Sequence, residues 1–416
     1  MSEEIPTKPA DEAGHRIDIT APLSERVFRT LVNGRVFLIG VLIGLLICTV
    51  GGWIESHRSP FQGFVRFHRW INSETLFYPT ISQMVETGRQ DVNQNKILVI
   101  VAGDSILFGS GQLPADLWTR RLQEQLGPDY TVKLLAYPGS AFADAGVVAG
   151  EVLQQQRGKV ILLSHMFIAH LNPLEKQTHP HFFWQARARG LLMNDPAREA
   201  AAQHAIAVLA EQNKLREMPL ASKVDAYLRF NDLWNAVGYR NFMTVWEPLT
   251  AEHFWWPRKD FTDPEVPKPV EARNPPDLYA QHMALPRRWI EGLCIKGQDG
   301  QWKEDPNSKE WKAFESLADV VIPPAMRKCT LAVVTYESIF YRRDLTPDEK
   351  IQYELSIQGT VRRMNERGYS AVPVGKDFSV DDYNDVLHFS PTGGVKMADT
   401  VAPQIKAMAK QLGYTN

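Results

Sequence analysis

Two short stretches, far apart in the chain, carry the residue types that nucleophilic catalysis requires. Gly103, Asp104 and Ser105 follow an apolar run, a place from which a serine hydroxyl projects at the carboxyl edge of a parallel sheet. Asp385 and His388 lie three positions apart in a polar loop before the last helical pattern. A serine nucleophile needs a base, and a histidine base needs a carboxylate that fixes its tautomer. The two stretches together therefore predict a catalytic triad.

Each stretch also has an ordinary structural interpretation when it is taken alone. Aspartate and serine are common helix caps, so residues 103–105 are equally typical of a helix start. A histidine in a loop is usually solvated, and an aspartate in a loop often forms a turn. Only the combination, with one stretch at a strand end and the other before the last helix, favours catalysis.

The elements that must position these residues alternate between apolar runs and helical patterns. The helical patterns include 141–156, a segment from the capping residues Thr346 and Glu349 to Gly368, and a C-terminal apolar stripe. Short runs bounded by turn residues predict strands buried on both faces, at 96–102, 132–136, 160–163, 331–334 and 371–374. This alternation predicts an α/β fold, with a three-layer, doubly wound, mostly parallel sheet.

With these elements placed, the sequence resembles the SGNH (GDSL-type) hydrolases. The first block of that family is Gly-Asp-Ser after the first strand, matched by residues 103–105, and the last is Asp-x-x-His, matched by Asp385 and His388. The resemblance covers about 96–171 and 329–414. It implies that Ser105 is the nucleophile, His388 the general base and Asp385 its orienting carboxylate. It implies neither a metal nor an organic cofactor.

The oxyanion hole that this resemblance implies is matched only in part. The backbone N–H groups of Ser105 and Gly139 take the places of two family donors. The family also has an asparagine donor after the third strand, and this chain has none at that place. Ser164, His165 and Asn172 are the candidates for the third donor. Loss of one such donor typically costs about 3–4 kcal/mol, so either another group donates or the reaction is not fast hydrolysis.

Residues 36–54 form an apolar stretch without a charge. About 20 such residues cross a bilayer core as a helix, and Trp53 lies where an interfacial aromatic would anchor it. The alternatives are a buried core helix and a cleaved signal peptide, although the tail before the stretch is long for the latter. Arginines flank both ends, so charge does not decide the orientation. The layout is typical of a signal anchor, which predicts a single-pass protein of the cytoplasmic membrane with its catalytic domain on the periplasmic or extracellular side.

The boundaries that follow divide the chain into six segments. We expect a cytoplasmic tail over 1–35, the transmembrane anchor over 36–54 and a juxtamembrane linker over 55–94. The two halves of the α/β core then occupy 95–170 and 329–416, separated by an insertion over 171–328.

The insertion carries eight of the eleven tryptophans of the chain. A structureless loop of this length is implausible, and Asp195 with Pro196 is typical of a helix start, so we expect a largely helical subdomain. Most of its tryptophans are expected in a core, and some at a substrate cleft.

Composition and charge exclude several classes of protein. The 416 residues carry 46 Lys+Arg against 48 Asp+Glu, a net charge of −2 without a long basic run, which argues against a nucleic-acid partner. Three cysteines are too few for a disulfide scaffold or a cysteine-rich metal site. Cys294 and Cys329 are expected either to pair or to be lone buried thiols.

Four histidines form a local cluster beside the place of the missing asparagine. Their spacing matches no zinc pattern, and no cysteine or acidic cluster joins them, so we expect a histidine-rich loop at the lip of the cleft rather than a metal site. The four are His165, His170, His179 and His181.

Three functions are compatible with these patterns. The leading one is a membrane-anchored serine esterase that removes acyl groups, such as acetyl, from a cell-envelope glycan or lipid through an acyl-enzyme. The second is an O-acyltransferase that uses the same triad to acylate a polysaccharide beside a multi-spanning membrane acyltransferase, as tethered relatives of the resembled family do. The third is a non-catalytic relative that binds a glycan or a partner, suggested by the tryptophan-rich insertion and the missing asparagine.

Overall fold

A computed structural model of the chain describes residues 34–58, 69–72, 75–77, 80–112, 116–136, 145–156, 158–166, 173–176, 181–215, 219–241, 287 and 290–415. The chain divides into two compact units, Met1–Gly51 and Gly52–Asn416. Nine strands occur in the described residues: β1 (Arg69–Asn72), β2 (Thr75–Phe77), β3 (Ile97–Val101), β4 (Tyr130–Leu134), β5 (Lys159–His165), β6 (Cys294–Lys296), β7 (Trp302–Glu304), β8 (Thr330–Thr335) and β9 (Ser370–Val374).

Fourteen α-helices occur in the same described residues. They are α1 (Gly34–Glu55), α2 (Ile81–Asn93), α3 (Ser105–Phe108), α4 (Trp118–Leu126), α5 (Ala145–Gln155), α6 (His181–Ala188), α7 (Pro196–Glu211), α8 (Ala221–Leu228), α9 (Phe230–Asn241), α10 (Lys309–Val321), α11 (Pro324–Arg327), α12 (Ile339–Arg342), α13 (Pro347–Glu366) and α14 (Pro391–Gln411).

The helix α1 contains the predicted membrane span. It has 22 residues, its most apolar window has a mean hydropathy of 2.4, and only 6% of that window is buried. Leu46 and Ile47 are 63% and 65% exposed, which disfavours the alternative of a buried core helix. The helix is therefore long and apolar enough to cross a membrane, although a signal sequence has the same properties.

The second unit is built on a five-stranded sheet in the order β4-β3-β5-β8-β9. All four neighbouring pairs are parallel. Every residue of β3 and of β8 is buried, as predicted for strands that are covered on both faces. All five predicted strands are present, with small shifts at their ends, and helices separate them along the chain. The prediction of an α/β fold with a mostly parallel sheet is confirmed.

The helix starts read from the sequence are also confirmed. Thr346 caps α13 in a capping box with Glu349, and Pro347 is its first residue. Asp195 caps α7, where its carboxylate accepts from two backbone N–H groups of the first turn. Side chains of these types satisfy N–H groups that have no partner within a helix.

The strand order reverses at one point of the five-stranded sheet. Among these five strands, β3 comes first in the chain, and the strand that follows it lies on one side while β5 lies on the other. Ligands of open α/β sheets bind where the order reverses in this way, at the carboxyl ends of the strands. Ser105 follows β3, and His165 is the last residue of β5.

Segments outside the two predicted core halves also contribute to the core. The stretch 55–94, expected to be a linker, contains α2, whose Ile81 and Met84 are fully buried in the main core. Within 171–328, Trp184 of α6 and Trp311 of α10 belong to the same core. An antiparallel pair of short strands, β6 and β7, interrupts the helices of this region.

The cysteines Cys294 and Cys329 are free thiols, one half-buried and the other buried. Burial is the main cause that raises the pKa of each to about 11. The sequence left open whether these two cysteines form a disulfide or are lone thiols, and in the structure they are unpaired.

Candidate functional site

The structure brings the three residues of the predicted triad into one hydrogen-bonded chain. The Nε2 atom of His388 lies 2.7 Å from Oγ of Ser105. On the other side of the ring, Nδ1 lies 2.6 Å from Oδ2 of Asp385. These distances are hydrogen-bond distances, so a serine hydroxyl, an imidazole and a carboxylate are aligned in the order that base-assisted nucleophilic attack requires.

A tight turn between β3 and α3 presents the hydroxyl of Ser105. Gly103 has φ +113°, a conformation that favours glycine, and a Cβ there would lie only 3.1 Å from the backbone nitrogen of His165. Asp104 caps α3 by accepting from the N–H of Ile106 at 2.9 Å. Ser105 is therefore the first residue of the helix, and its own N–H is one of those that a helix start leaves without an internal acceptor.

A closed loop presents His388 to Ser105. The Oδ1 atom of Asp385 accepts from the N–H groups of Leu387 and His388, both at 2.8 Å, while Oδ2 accepts from the ring. The N–H of Asn384 donates to the carbonyl of His388 at 2.7 Å. Because one carboxylate holds both the backbone and the ring, the imidazole orientation is fixed within the loop itself.

A pair of side-chain amides ties this loop to the segment that follows α3. The Nε2 of Gln112, which is fully buried, donates to the carbonyls of Phe389 and Ser390 at 3.1 and 3.3 Å. Its Oε1 accepts from the N–H of Trp118 at 3.0 Å. Asn384 Nδ2 donates to the carbonyl of Phe389 at 3.1 Å and to the carbonyl of Ser110, in the segment after α3, at 3.4 Å. We call these two side chains, Gln112 and Asn384, the amide clasp.

The charges of the site favour a basic histidine. Burial alone would lower the pKa of His388, but the charge and the hydrogen bond of Asp385 outweigh it and raise that pKa above 6.5, and the charge of Asp104 adds to the rise. Burial alone would raise the pKa of Asp385, but the charge and hydrogen bonds of His388 hold it at about 2. The carboxylate is therefore ionised across the physiological range, where it stabilises an imidazolium.

A second carboxylate–histidine pair lies directly beside the triad. The Nδ1 atom of His165 lies 2.8 Å from Oδ2 of Asp104, and Nε2 lies 2.9 Å from Oγ1 of Thr335. The His165 side chain is only 1% exposed. We call Asp104, His165 and Thr335 the buried relay. It joins the ends of three neighbouring strands, and no local pattern in the sequence predicts that these three side chains meet.

The oxyanion candidates have different outcomes. Ser105 opens α3 as described, whereas Gly139 and Asn172 lie outside the described residues. His165 is at the predicted place, but both of its ring nitrogens already have partners within the buried relay. Ser164 is buried within β5 beside Ala332 of β8. The ring of His165 would therefore have to give up a bond to serve as the third donor.

The predicted histidine cluster is only partly described. His165 belongs to the buried relay and His181 is the first residue of α6, while His170 and His179 lie outside the described residues. In the part of the chain that the structure describes, no three His, Cys, Asp or Glu side chains are grouped so that they could hold a metal ion.

Comparison of the chain with protein-family models, with curated proteins and with solved structures gives no match in any of the three. The resemblance to the SGNH hydrolases therefore depends on residues 103–105, Asp385 and His388. What supports a function for this chain is the geometry of these residues at the switch point of the sheet.

Proposed function

We propose that the protein is a serine esterase of the SGNH type that is anchored in a membrane by α1. The observation that carries this proposal is the chain of hydrogen bonds from Ser105 Oγ through His388 to Asp385, at 2.7 and 2.6 Å. Its place at the reversal of strand order agrees with a doubly wound, three-layer sheet, the architecture that the resemblance implies.

The geometry supports a two-step ester cleavage. His388 Nε2 takes the proton of Ser105 as Oγ attacks the ester carbonyl, and Asp385 stabilises the imidazolium that forms. The N–H of Ser105 is positioned to donate to the tetrahedral oxyanion. His388 then returns the proton to the leaving alcohol as the C–O bond breaks. In the second step His388 takes a proton from water as the water oxygen attacks the acyl carbon, and it returns that proton to Ser105 Oγ as the C–Oγ bond breaks and the acid leaves.

The proposed substrate is an acylated glycan or lipid of the cell envelope, such as an acetyl ester. Two features support it: α1 is suited to hold the chain at a membrane, and His388 keeps 22% of its side chain exposed, so the proposed base can be reached from outside the protein. No cofactor takes part in the steps proposed.

The test compares the full-length chain in detergent with two serine variants on an aryl acetate. Ser105→Ala is expected to lower kcat by at least about a thousand-fold, because a triad acts as a unit. Ser316→Ala, which removes an exposed hydroxyl on α10, is the matched control and is expected to leave kcat unchanged. A fluorophosphonate should label the wild type and Ser316→Ala but not Ser105→Ala. Equal hydrolysis by all three chains would contradict any catalytic role for Ser105.

Acyl transfer to a sugar hydroxyl is the second candidate function. It is favoured by the buried relay, which occupies both nitrogens of His165 at the place where the resembled family has its asparagine donor. A weaker oxyanion hole slows attack by water and by a sugar hydroxyl alike, so transfer would depend on an acceptor hydroxyl bound close to the acyl group, which an integral-membrane acyltransferase would supply. With an acetyl donor and an oligosaccharide both present, transfer predicts acetyl on the sugar in excess of free acetate. Free acetate alone would leave hydrolysis as the function.

A further inference from the structure

The helices α8 and α9 have an apolar side that faces away from the protein. Leu220, which immediately precedes α8, and Val224 and Tyr227 within α8 follow helical spacing and are 48%, 49% and 70% exposed. On α9, Trp234 and Val237 continue the pattern at 70% and 46%. We call these five side chains the apolar face. A helix of a soluble protein normally buries such a stripe and exposes its polar side.

The opposite side of the same two helices is polar and buried. Asp225 of α8 is 6% exposed and Asp232 of α9 is 0% exposed. Both carboxylates lie 2.8 Å from the same nitrogen, Nη2 of Arg189, and Thr80 donates its hydroxyl to Asp232. Because the polar sides of both helices converge on one guanidinium, the apolar face is turned away from it. The two helices therefore bury their polar sides and expose their apolar sides, a reversed amphipathicity compared with an ordinary helix of a soluble protein.

The apolar face adjoins the last turn of α1. Trp53 Nε1 donates to the carbonyl of Tyr227 at 3.0 Å, and the guanidinium of Arg229 lies 4.5 Å from the centre of the Trp53 ring. Gly52 permits this approach, because a Cβ there would collide with the carbonyl of Arg229. Trp53 and Ile54 are themselves 44% and 48% exposed. The apolar surface thus continues from α8 onto the end of the helix that we propose spans the membrane.

We propose that the apolar face lies in the interfacial layer of the bilayer that α1 crosses, so that α8 and α9 form a second, peripheral membrane contact. This inference depends on the proposed membrane span. Three observations favour lipid as the occupant. The apolar face is continuous with the end of α1, and the amphipathicity of α8 and α9 is reversed. The face and the end of α1 also carry Trp53, Tyr227 and Trp234, and tryptophan and tyrosine are enriched at membrane interfaces. The exposed Lys223 beside Val224 suits a phosphate headgroup.

The test places a fluorophore on the full-length chain in vesicles of phosphatidylethanolamine and phosphatidylglycerol. A fraction of the lipids carries a nitroxide quencher on the acyl chain, and iodide serves as the aqueous quencher. Val224→Cys and Trp234→Cys are labelled in a Cys48→Ser background, where the raised thiol pKa values of Cys294 and Cys329 slow their labelling. Lys312→Cys, at an exposed position of α10, is the matched control. The native Cys48 of α1, labelled in the unsubstituted chain, reports on the span independently.

We expect the labels at positions 224 and 234 to be quenched by the nitroxide lipid and protected from iodide, and the label at 312 to behave in the opposite way. Quenching of 224 and 234 by iodide, with Cys48 in lipid, would overturn the peripheral contact while the span stands. Protection from both quenchers would show that a protein, such as a second copy, covers the face, and would also overturn it. A Cys48 label that the nitroxide does not reach would contradict the span itself. Equal melting temperatures of the labelled chains establish that the substitutions leave the fold intact.

Discussion

At the scale of single residues, the site combines two carboxylate–histidine pairs that share one turn. Asp385 orients His388, and Asp104 orients His165 while its neighbour Ser105 faces His388. The charge of Asp104 also acts on His388. The residue that precedes the nucleophile is thus both a helix cap and part of the electrostatic environment of the proposed base.

The pH dependence of the proposed ester cleavage follows from His388 and Asp385. His388 acts as a base only when it is neutral, and its pKa is raised above the ordinary value of 6.5. The value of kcat should therefore fall as the pH is lowered, with a midpoint above 6.5. The stability of the fold changes with pH in the opposite direction. The pairing of the charged His388 imidazole with Asp385 stabilises the fold at low pH, and this stabilisation is lost as the pH rises through the raised pKa of His388. Asp385, with a pKa of about 2, contributes to the stability of the fold above about pH 4 and loses this contribution as the pH falls through 2.

Asp385→Asn should lower kcat on the order of 10⁴-fold. It should also move the acid limb, the part of the pH–rate profile in which kcat falls with acid, to lower pH. An unchanged limb in a pH–rate profile would contradict the assignment of His388.

Asp104→Asn separates the electrostatic effect of this residue from its cap. The amide oxygen still accepts from Ile106, but the charge that raises the pKa of His388 is removed, so the acid limb should move to lower pH with a smaller loss of kcat than in Asp385→Asn. Asp381→Asn, an exposed position near the same loop, is the matched control and should leave the limb in place. Identical limbs in Asp104→Asn and the wild type, in buffers of equal ionic strength, would show that this charge does not reach His388.

The residues of the proposed triad could be identified from the sequence, and the buried relay could not. Ser105, Asp385 and His388 lie in short local patterns whose places relative to strands and helices are readable. His165 and Thr335 meet because β5 pairs with β8 across the whole insertion, and no local pattern records that pairing. Gly139 and Asn172 lie outside the described residues, so these two oxyanion candidates stay predictions.

At the scale of elements, the sheet and its flanking helices position the site, and their periodicity made them predictable. The capping box of α13 and the apolar runs of β3 and β8 are strong signals. The helix α2 was not predicted, although Ile81, Met84 and Val85 follow helical spacing and are buried, because the stretch 55–94 lies between the predicted span and the first strand, where a linker is expected. The strands β6 and β7 have three residues each, too few to show a period.

At the same scale, the amide clasp joins the loop of His388 to the segment that follows α3, and we expect it to hold Ser105 and His388 within hydrogen-bond distance. Gln112→Ala should lower the free energy of unfolding by about 1–3 kcal/mol, because buried backbone groups lose their partners, and should also lower kcat as the loop of His388 loosens. Gln411→Ala, on the exposed side of α14, serves as the control. Urea unfolding and the rate of fluorophosphonate labelling measure the two effects. A loss of stability with the labelling rate unchanged would mean that the clasp supports the fold but not the triad.

At the scale of the whole molecule, the chain joins one apolar helix to a single large unit. The second unit, Gly52–Asn416, includes the insertion together with both halves of the predicted core. The sequence located the candidate span from its length and lack of charge. It did not reveal the reversed amphipathicity of α8 and α9, because a periodic stripe looks the same whether it faces a core or a lipid.

The proposed orientation has a direct consequence in intact cells. If the tail is cytoplasmic and the second unit is exported, a membrane-impermeant fluorophosphonate should label Ser105 in spheroplasts without lysis. Leu42→Arg with Leu46→Arg places charges in the middle of α1, at about 2.5–3.5 kcal/mol each for insertion, and should release the chain from carbonate-washed membranes. Ser105→Ala controls for labelling at other serines. If labelling of Ser105 requires lysis, the second unit lies on the cytoplasmic side and the proposed orientation is wrong.

The hydrogen bond between Ser105 and His388 joins positions that are 283 residues apart in sequence. Contacts of such separation form late, because a long loop must close before they are gained. Neither the turn after β3 nor the loop before α14 contains both Ser105 and His388. Under the proposed function, Ser105 therefore gains its base only in the assembled fold, and an unfolded chain would hold an inert serine rather than an active esterase.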